Sequence, residues 1–172
     1  QLNMYYYSLD SIVEPRLTGR FIQHSLNRFD SISSKHWVGK VNELDKTQFN
    51  SKPTSNRVEN YSHTFLLQLD SIGRKPNESI YVHTSLRTRL NRQQHAQLIF
   101  SVEKAEGSYI YQATDLNPFQ NVYEYWWGVA AYISIPANQL QENSTLKVYI
   151  WNQYSEALHI DDFDINIFGY YE

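Results

Sequence analysis

The sequence contains no cysteine. Disulfides, thiolate metal sites and cysteine nucleophiles are therefore excluded. Neither sign of charge prevails: 15 Lys and Arg face 18 Asp and Glu, a formal net charge of -3. That balance gives no electrostatic footprint for DNA or RNA and no polybasic membrane signal. No apolar run approaches membrane-spanning length. No H-E-x-x-H, G-x-S-x-G, P-loop or G-x-G-x-x-G occurs, so the common local signatures of metalloproteases, serine hydrolases and nucleotide binders are missing. The histidines are scattered at His24, His36, His63, His83, His95 and His159. None pairs at metalloprotease spacing, and a Zn site is not expected. No signal peptide is legible at Gln1, so any targeting segment is expected to have been removed or to lie outside this sequence.

What the chain does have is aromatic surface. Aromatic residues make up 15% of it, with 14 Tyr against a single Met. Such side chains fit pleated, half-buried surfaces and favour strands. With 41% hydrophobic residues, disorder over most of the length is not expected. A length of 172 residues suits one domain with a sizeable core.

Residues 1–19 read as a peripheral segment or a linker, although Tyr5-Tyr6-Tyr7 is aromatic enough to pack on something. Strand-like pieces follow at Arg20 to His24, Asn27 to Ile32 and His36 to Val41. Asn42 to Asn60 is polar, holds Lys52-Pro53 and reads as a long loop. From Tyr61 onward a period of two is clear. Phe65, Leu67 and Leu69 share one face. Ile80, Val82, Thr84, Leu86 and Thr88 share one face, and Tyr81, His83, Ser85, Arg87 and Arg89 the other. This is the alternation of an antiparallel strand with one side on a core. Ala96 to Val102, Ser108 to Ala113, Trp126 to Ile135, Leu146 to Ile150 and Ile160 to Phe168 continue the pattern, with a hairpin turn at Ala105-Glu106-Gly107. No long segment has helical periodicity. The expected fold is all-β, an antiparallel two-sheet sandwich over residues 20–172.

The C-terminal third carries a resemblance. Trp127-Gly128-Val129-Ala130-Ala131-Tyr132-Ile133-Ser134-Ile135-Pro136 resembles the W-x-V-x-x-x-F-x-I-P strand of carbohydrate-binding-module and galactose-binding-like jelly rolls. Leu146 to Asn152 resembles the next strand of those domains, and His159-Ile160-Asp161-Asp162-Phe163-Asp164-Ile165 their closing strand. Asn60 to Phe65 and Phe29-Asp30-Ser31 add weaker matches, so the resemblance covers roughly Phe29 to Gly169. The Trp-Asn and Ile-Asp-Asp pair of motifs recurs in exported Bacteroidetes proteins. The resemblance implies a jelly-roll fold and a periplasmic, cell-surface or secreted location. It also implies one structural Ca²⁺, with Asp30 and Asp161 as candidate ligands and Asp162 as a substitute.

Residue chemistry gives that closing strand a reading of its own. Strand parity sets Asp161 on the side of Phe163, Ile165 and Ile167, where a carboxylate needs a partner. A Ca²⁺ would supply one. The alternatives are backbone N–H groups, tyrosine hydroxyls or an arginine.

A second constellation lies on the outward faces. Tyr81, His83 and Arg87 project from one strand, Trp126 and Tyr132 from another, and Tyr149 and Trp151 from a third. Aromatic faces cover the C–H side of a sugar ring, and planar polar groups bind its hydroxyls. Trp126 is the better binding candidate, because Trp127 and Trp151 match strand positions that more often pack. The expected function is therefore a non-catalytic carbohydrate-binding or glycan-interacting accessory domain of an exported bacterial protein, with an oligo- or polysaccharide partner. Two rivals remain. One is a structural or protein-interaction module docking on other domains of a parent envelope protein. The other is a lyase or hydrolase using Tyr81, His83 and Arg87, although one strand rarely supplies a whole catalytic site.

Overall fold

The computed structural model describes residues 6–8, 19–28, 36–38, 45–49, 52–58, 61–90, 96–116, 126–153 and 158–171. Twelve strands run through them: β1 (Tyr6–Ser8), β2 (Arg20–Asn27), β3 (Trp37–Val38), β4 (Asp45–Phe49), β5 (Lys52–Val58), β6 (Thr64–Gln68), β7 (Ser79–Leu90), β8 (Ala96–Lys104), β9 (Gly107–Asp115), β10 (Trp126–Ile135), β11 (Thr145–Asn152) and β12 (Leu158–Tyr170). They form two sheets. The seven-stranded sheet is ordered β1-β10-β7-β12-β5-β4, with β2 also paired to β12. The five-stranded sheet is ordered β3-β6-β11-β8-β9. From β6 to β12 the chain passes repeatedly from one sheet to the other, the wrapping of a jelly roll. All pairings are antiparallel except β1 with β10, which is parallel.

The core lies where period-two alternation directs it. Ile80, Val82 and Leu86 from β7, Val129, Ile133 and Ile135 from β10, and Ile160, Phe163, Ile165 and Ile167 from β12 face inward from one sheet. Leu98, Phe100 and Val102 from β8, with Leu146, Val148 and Ile150 from β11, meet them from the other. Thr84 and Thr88 share the buried side of β7, and the Thr84 hydroxyl donates to the Asp164 carbonyl at 2.7 Å. Trp37 fastens the sheets together. It belongs to the five-stranded sheet and contacts Phe65 there at 5.6 Å between ring centroids. It also reaches Phe163 of the facing sheet at 5.1 Å and donates from Nε1 to Ser25 Oγ on β2 at 2.8 Å.

The start of β2 is fixed by charge. Arg20 forks onto Glu78, Nε to Oε1 at 3.0 Å and Nη2 to Oε2 at 2.7 Å. The Glu78 side chain is fully buried, and its pairing with Arg20 holds its carboxyl below the usual range. A Cβ at Gly169 would come within 2.1 Å of Glu78 Oε1, so only glycine fits beside this carboxylate.

Three features depart from the sequence reading. Residues 42–60, expected as a loop, carry β4 and β5. The two pair as an antiparallel ladder, and their sequences show no hydrophobic alternation. The strand begun at Arg20 runs past His24 to Asn27 as β2, and most of the piece expected at Asn27 to Ile32 lies outside the described residues. The third departure bears on the site. Between Asp161 and Asp164, β12 gains one residue against β7, a bulge with Asp162 at φ 47°, a left-handed backbone that Asp tolerates better than most residues. The extra residue reverses the parity. Asp161 stands opposite Arg87 on the outer face, not on the side of Phe163, Ile165 and Ile167.

Candidate functional site

Each sheet presents an outer face, and the structure divides the candidate residues between them. On the seven-stranded sheet, β7 is the central strand. Its Tyr81, His83, Ser85, Arg87 and Arg89 are opposed on β10 by Ser134, Tyr132, Ala130, Gly128 and Trp126. On β12 the same residues meet Phe168, Asn166, Asp164, Asp161 and His159. Trp126, Tyr81, His83, Arg87 and Tyr132 therefore share one surface.

Much of that surface is occupied with itself. Tyr81 stacks on Tyr132, with ring centroids at 5.3 Å, and lies 6.4 Å from Phe168. Phe168 in turn meets Phe21 edge-on at 5.6 Å. Arg87 Nη2 donates to Asp161 Oδ2 at 2.8 Å and lies 2.6 Å from Asp162 Oδ2. Arg28 approaches the same Asp162 at 3.8 Å, and His24 Nε2 is hydrogen-bonded to Asp164 Oδ1 at 2.5 Å. Arg87, already shared between two carboxylates, is not offered as a clamp for a substrate acid.

Asp161 finds the arginine partner and the backbone N–H that its position demands, the latter from Asp162 at 2.8 Å. Among the described residues no group of three metal-ligating side chains gathers. Asp30, the other expected Ca²⁺ ligand, lies outside the described residues. Burial pushes the Asp161 carboxyl up to about 6, helped by repulsion from Asp162. The Asp162 N–H and the Arg87 charge pull the other way and are outweighed. One guanidinium between two carboxylates cannot compensate both.

This carboxyl therefore holds its proton more tightly in the folded protein than in the unfolded chain, where it ionises near 3.9. Its stabilising contribution is complete below about pH 4 and is lost as pH rises through about 6. Asp161→Asn is accordingly expected to gain stability relative to the parent on going from about pH 4 to about pH 7.5. Urea denaturation midpoints of both proteins at both pH values measure it. An unchanged difference between them would remove the raised carboxyl from the account.

Trp151 does not join the other candidates. It projects with Tyr149 and Lys147 from β11, on the outer face of the five-stranded sheet. There it is bridged to Tyr61 and opposed on β8 by Gln97. The Tyr61 ring meets Tyr149 edge-on at 6.0 Å. Burial raises the Tyr149 phenol, and Tyr111, Glu103 and Tyr61 around it add to the rise. Tyr61 and Tyr111 remain 61% and 54% exposed, so their rings are open to a ligand. Planar polar groups lie between and beside them. Gln97 donates to Asp115 at 3.0 Å and accepts from Gln153 at 3.1 Å, while Lys147 pairs with Glu103 at 2.5 Å. Ile99, on the same side of β8 as Gln97, is fully buried beneath this layer. Sequence reasoning noted Tyr149 and Trp151 but missed Tyr61 and Tyr111. The first precedes its strand, and the second joins the group only once β8 is known to lie between β11 and β9.

No family model matches the chain, and no curated protein matches its sequence. Among solved structures, the CBM22-1 xylan-binding domain of Paenibacillus barcinonensis Xyn10C is 17% identical, with a TM-score of 0.48 over 87% of this chain and 95% of that one. The CBM22-2 xylan-binding domain of the same protein is 16% identical, with a TM-score of 0.49 over 84% and 98%. The CBM35 from Cellvibrio japonicus Abf62 is 10% identical, with a TM-score of 0.44 over 83% and 92%. At these values the reading of function rests on the chain's own side chains.

Proposed function

We propose that the outer face of the five-stranded sheet binds a glycan chain and does so without chemical turnover. The observation that carries this is the grouping of Tyr61, Tyr111, Tyr149 and Trp151 around amide and carboxylate side chains, with two of the four rings more than half exposed. Soluble proteins ordinarily cover aromatic rings, and a cluster left open beside oriented polar groups fits a ligand that is apolar on one side and hydroxylated on the other. From Tyr61, beside β11, to Tyr111 on β9 the platform crosses β8. Three strand spacings make about 14 Å across the sheet, and the offset from the Gln97 row to the Ser101 row adds about 13 Å along it, which is room for a short run of sugar rings. Nothing in the group pairs a nucleophile with a base, and Lys147 is paired with Glu103 within the face, which supports binding over catalysis.

An accessory role in an exported protein belongs to the same proposal and is supported by the cysteine-free, aromatic-rich composition. The test is electrophoresis of the chain in gels containing neutral polysaccharides, with assay of the same mixtures for new reducing ends. Retardation by at least one polysaccharide with no product is expected. Migration unaffected by every polysaccharide, or release of reducing ends, would overturn it.

A further inference from the structure

Arg89 differs from its neighbours on the opposite face. Arg20 forks onto Glu78, Arg87 holds Asp161 and Asp162, and Arg74 donates to the Glu78 carbonyl. Among the described residues the half-buried Arg89 side chain makes no hydrogen bond or ion pair, and its Nε is buried without a partner. A buried N–H on a permanent cation is costly to leave unsatisfied. It persists where something else completes it, and the residues that flank Arg89 suggest what that is. Trp126 lies opposite on β10 and His159 opposite on β12, so in register Arg89 stands between a tryptophan and a histidine on this face.

We propose that this corner of the seven-stranded sheet is a second site, which takes the carboxylate of an acidic sugar. A carboxylate presents two oxygens that match the guanidinium fork. The sugar ring bearing it lies against the Trp126 side chain, as rings of this kind do on indoles. A singly charged group suits the position better than a doubly charged one. The next position along β12 on this face is Asp161, with Asp162 beside it, and further negative charge would be repelled. This site lies on the other side of the sandwich from the tyrosine platform and does not depend on it.

Calorimetry on the full chain tests the assignment, using an oligogalacturonate, the same oligosaccharide with its carboxyls reduced to alcohols, and an oligoglutamate peptide. The acidic sugar is expected to bind about tenfold or more tightly than the reduced one, with the preference weakening as salt is added. Arg89→Gln is expected to abolish the preference. Arg89→Lys, which keeps the charge but loses the fork, is expected to retain only part of it. Equal binding of the two oligosaccharides, a preference that survives in Arg89→Gln, or a peptide that binds as well as the uronate would each overturn the proposal. Both variants delete an unpartnered group and are expected to melt no lower than the parent, so loss of preference is not confused with loss of fold. Retention by neutral polysaccharide reports the tyrosine platform and uronate preference reports Arg89, so either reading can fail alone.

Discussion

Phe163→Ala is expected to lower the stability of the fold by about 3–5 kcal/mol, the range for removing a buried aromatic ring. Phe163 is fully buried, and its ring reaches across the sandwich to Trp37. Truncation removes transfer free energy and leaves a cavity between two sheets that strand ladders hold in place. Such a site collapses poorly, which favours the upper part of the range. Trp37 also loses a wall, and with it part of the contact that seats β3 and, through Ser25, β2. A domain of this size has about 5–15 kcal/mol in total, so the variant should stand near the edge of folding. Chemical denaturation of parent and variant measures the difference. Phe163→Leu, which keeps most of the volume, is expected to lose far less. A loss below about 1 kcal/mol for the alanine variant would mean that the two sheets are not clamped at this point.

Phe163 also marks where the sequence stops being legible. Period two identified β7, β8, β10 and β11 because each of these strands has one side on the core and one side off it. The same rule failed across the bulge of β12. Ile160 and Phe163 are both buried although three positions apart. Parity counted back from Ile167 therefore put Asp161 on the wrong side. A bulge leaves little trace in a sequence, and here the only sign is an Asp-Asp pair at a position needing a left-handed backbone. β4 and β5 were missed for a different reason. Their residues, Asp45–Phe49 and Lys52–Val58, pair through the backbone with almost no hydrophobic alternation to betray them. A ladder can form without that signal, because its hydrogen bonds are independent of side-chain type.

The candidate site divided along a similar line. Periodicity tells which side of its own strand a residue takes, and it told correctly that Trp126, Tyr132, Tyr149 and Trp151 point away from the core. It does not tell which sheet the strand enters. That depends on long-range pairing, and the pairing separates β10 from β11. Aromatic residues that looked like one constellation became two. Those on the seven-stranded sheet then proved to stack largely on one another, whereas those on the five-stranded sheet stay open.

That division leads to the second large effect. Trp151→Ala is expected to weaken retention by a neutral polysaccharide about 30-fold, equivalent to about 2 kcal/mol for losing an aromatic anchor. Trp151 is bridged to Tyr61 and opposed by Gln97, so a ligand resting on the Tyr61 end of the platform lies over it. Tyr61 and Tyr111 stand more open at the margins, where solvent competes, and their alanine variants are expected to lose less. Phe21 is the matched control. It is 55% exposed, as open as Tyr111, but it projects from the seven-stranded sheet against Phe168. If exposed aromatic surface alone drove retention, Phe21→Ala and Trp151→Ala would weaken it alike. If the five-stranded face is the site, Phe21→Ala leaves retention unchanged and Trp151→Ala abolishes most of it. Affinity electrophoresis at several polysaccharide concentrations gives both dissociation constants. Melting curves identify any variant that has lost its fold, because truncating Trp151 on an outer face should not disturb the core residues Val148 and Ile150 behind it. Undiminished retention in folded Trp151→Ala would remove the platform as the binding surface.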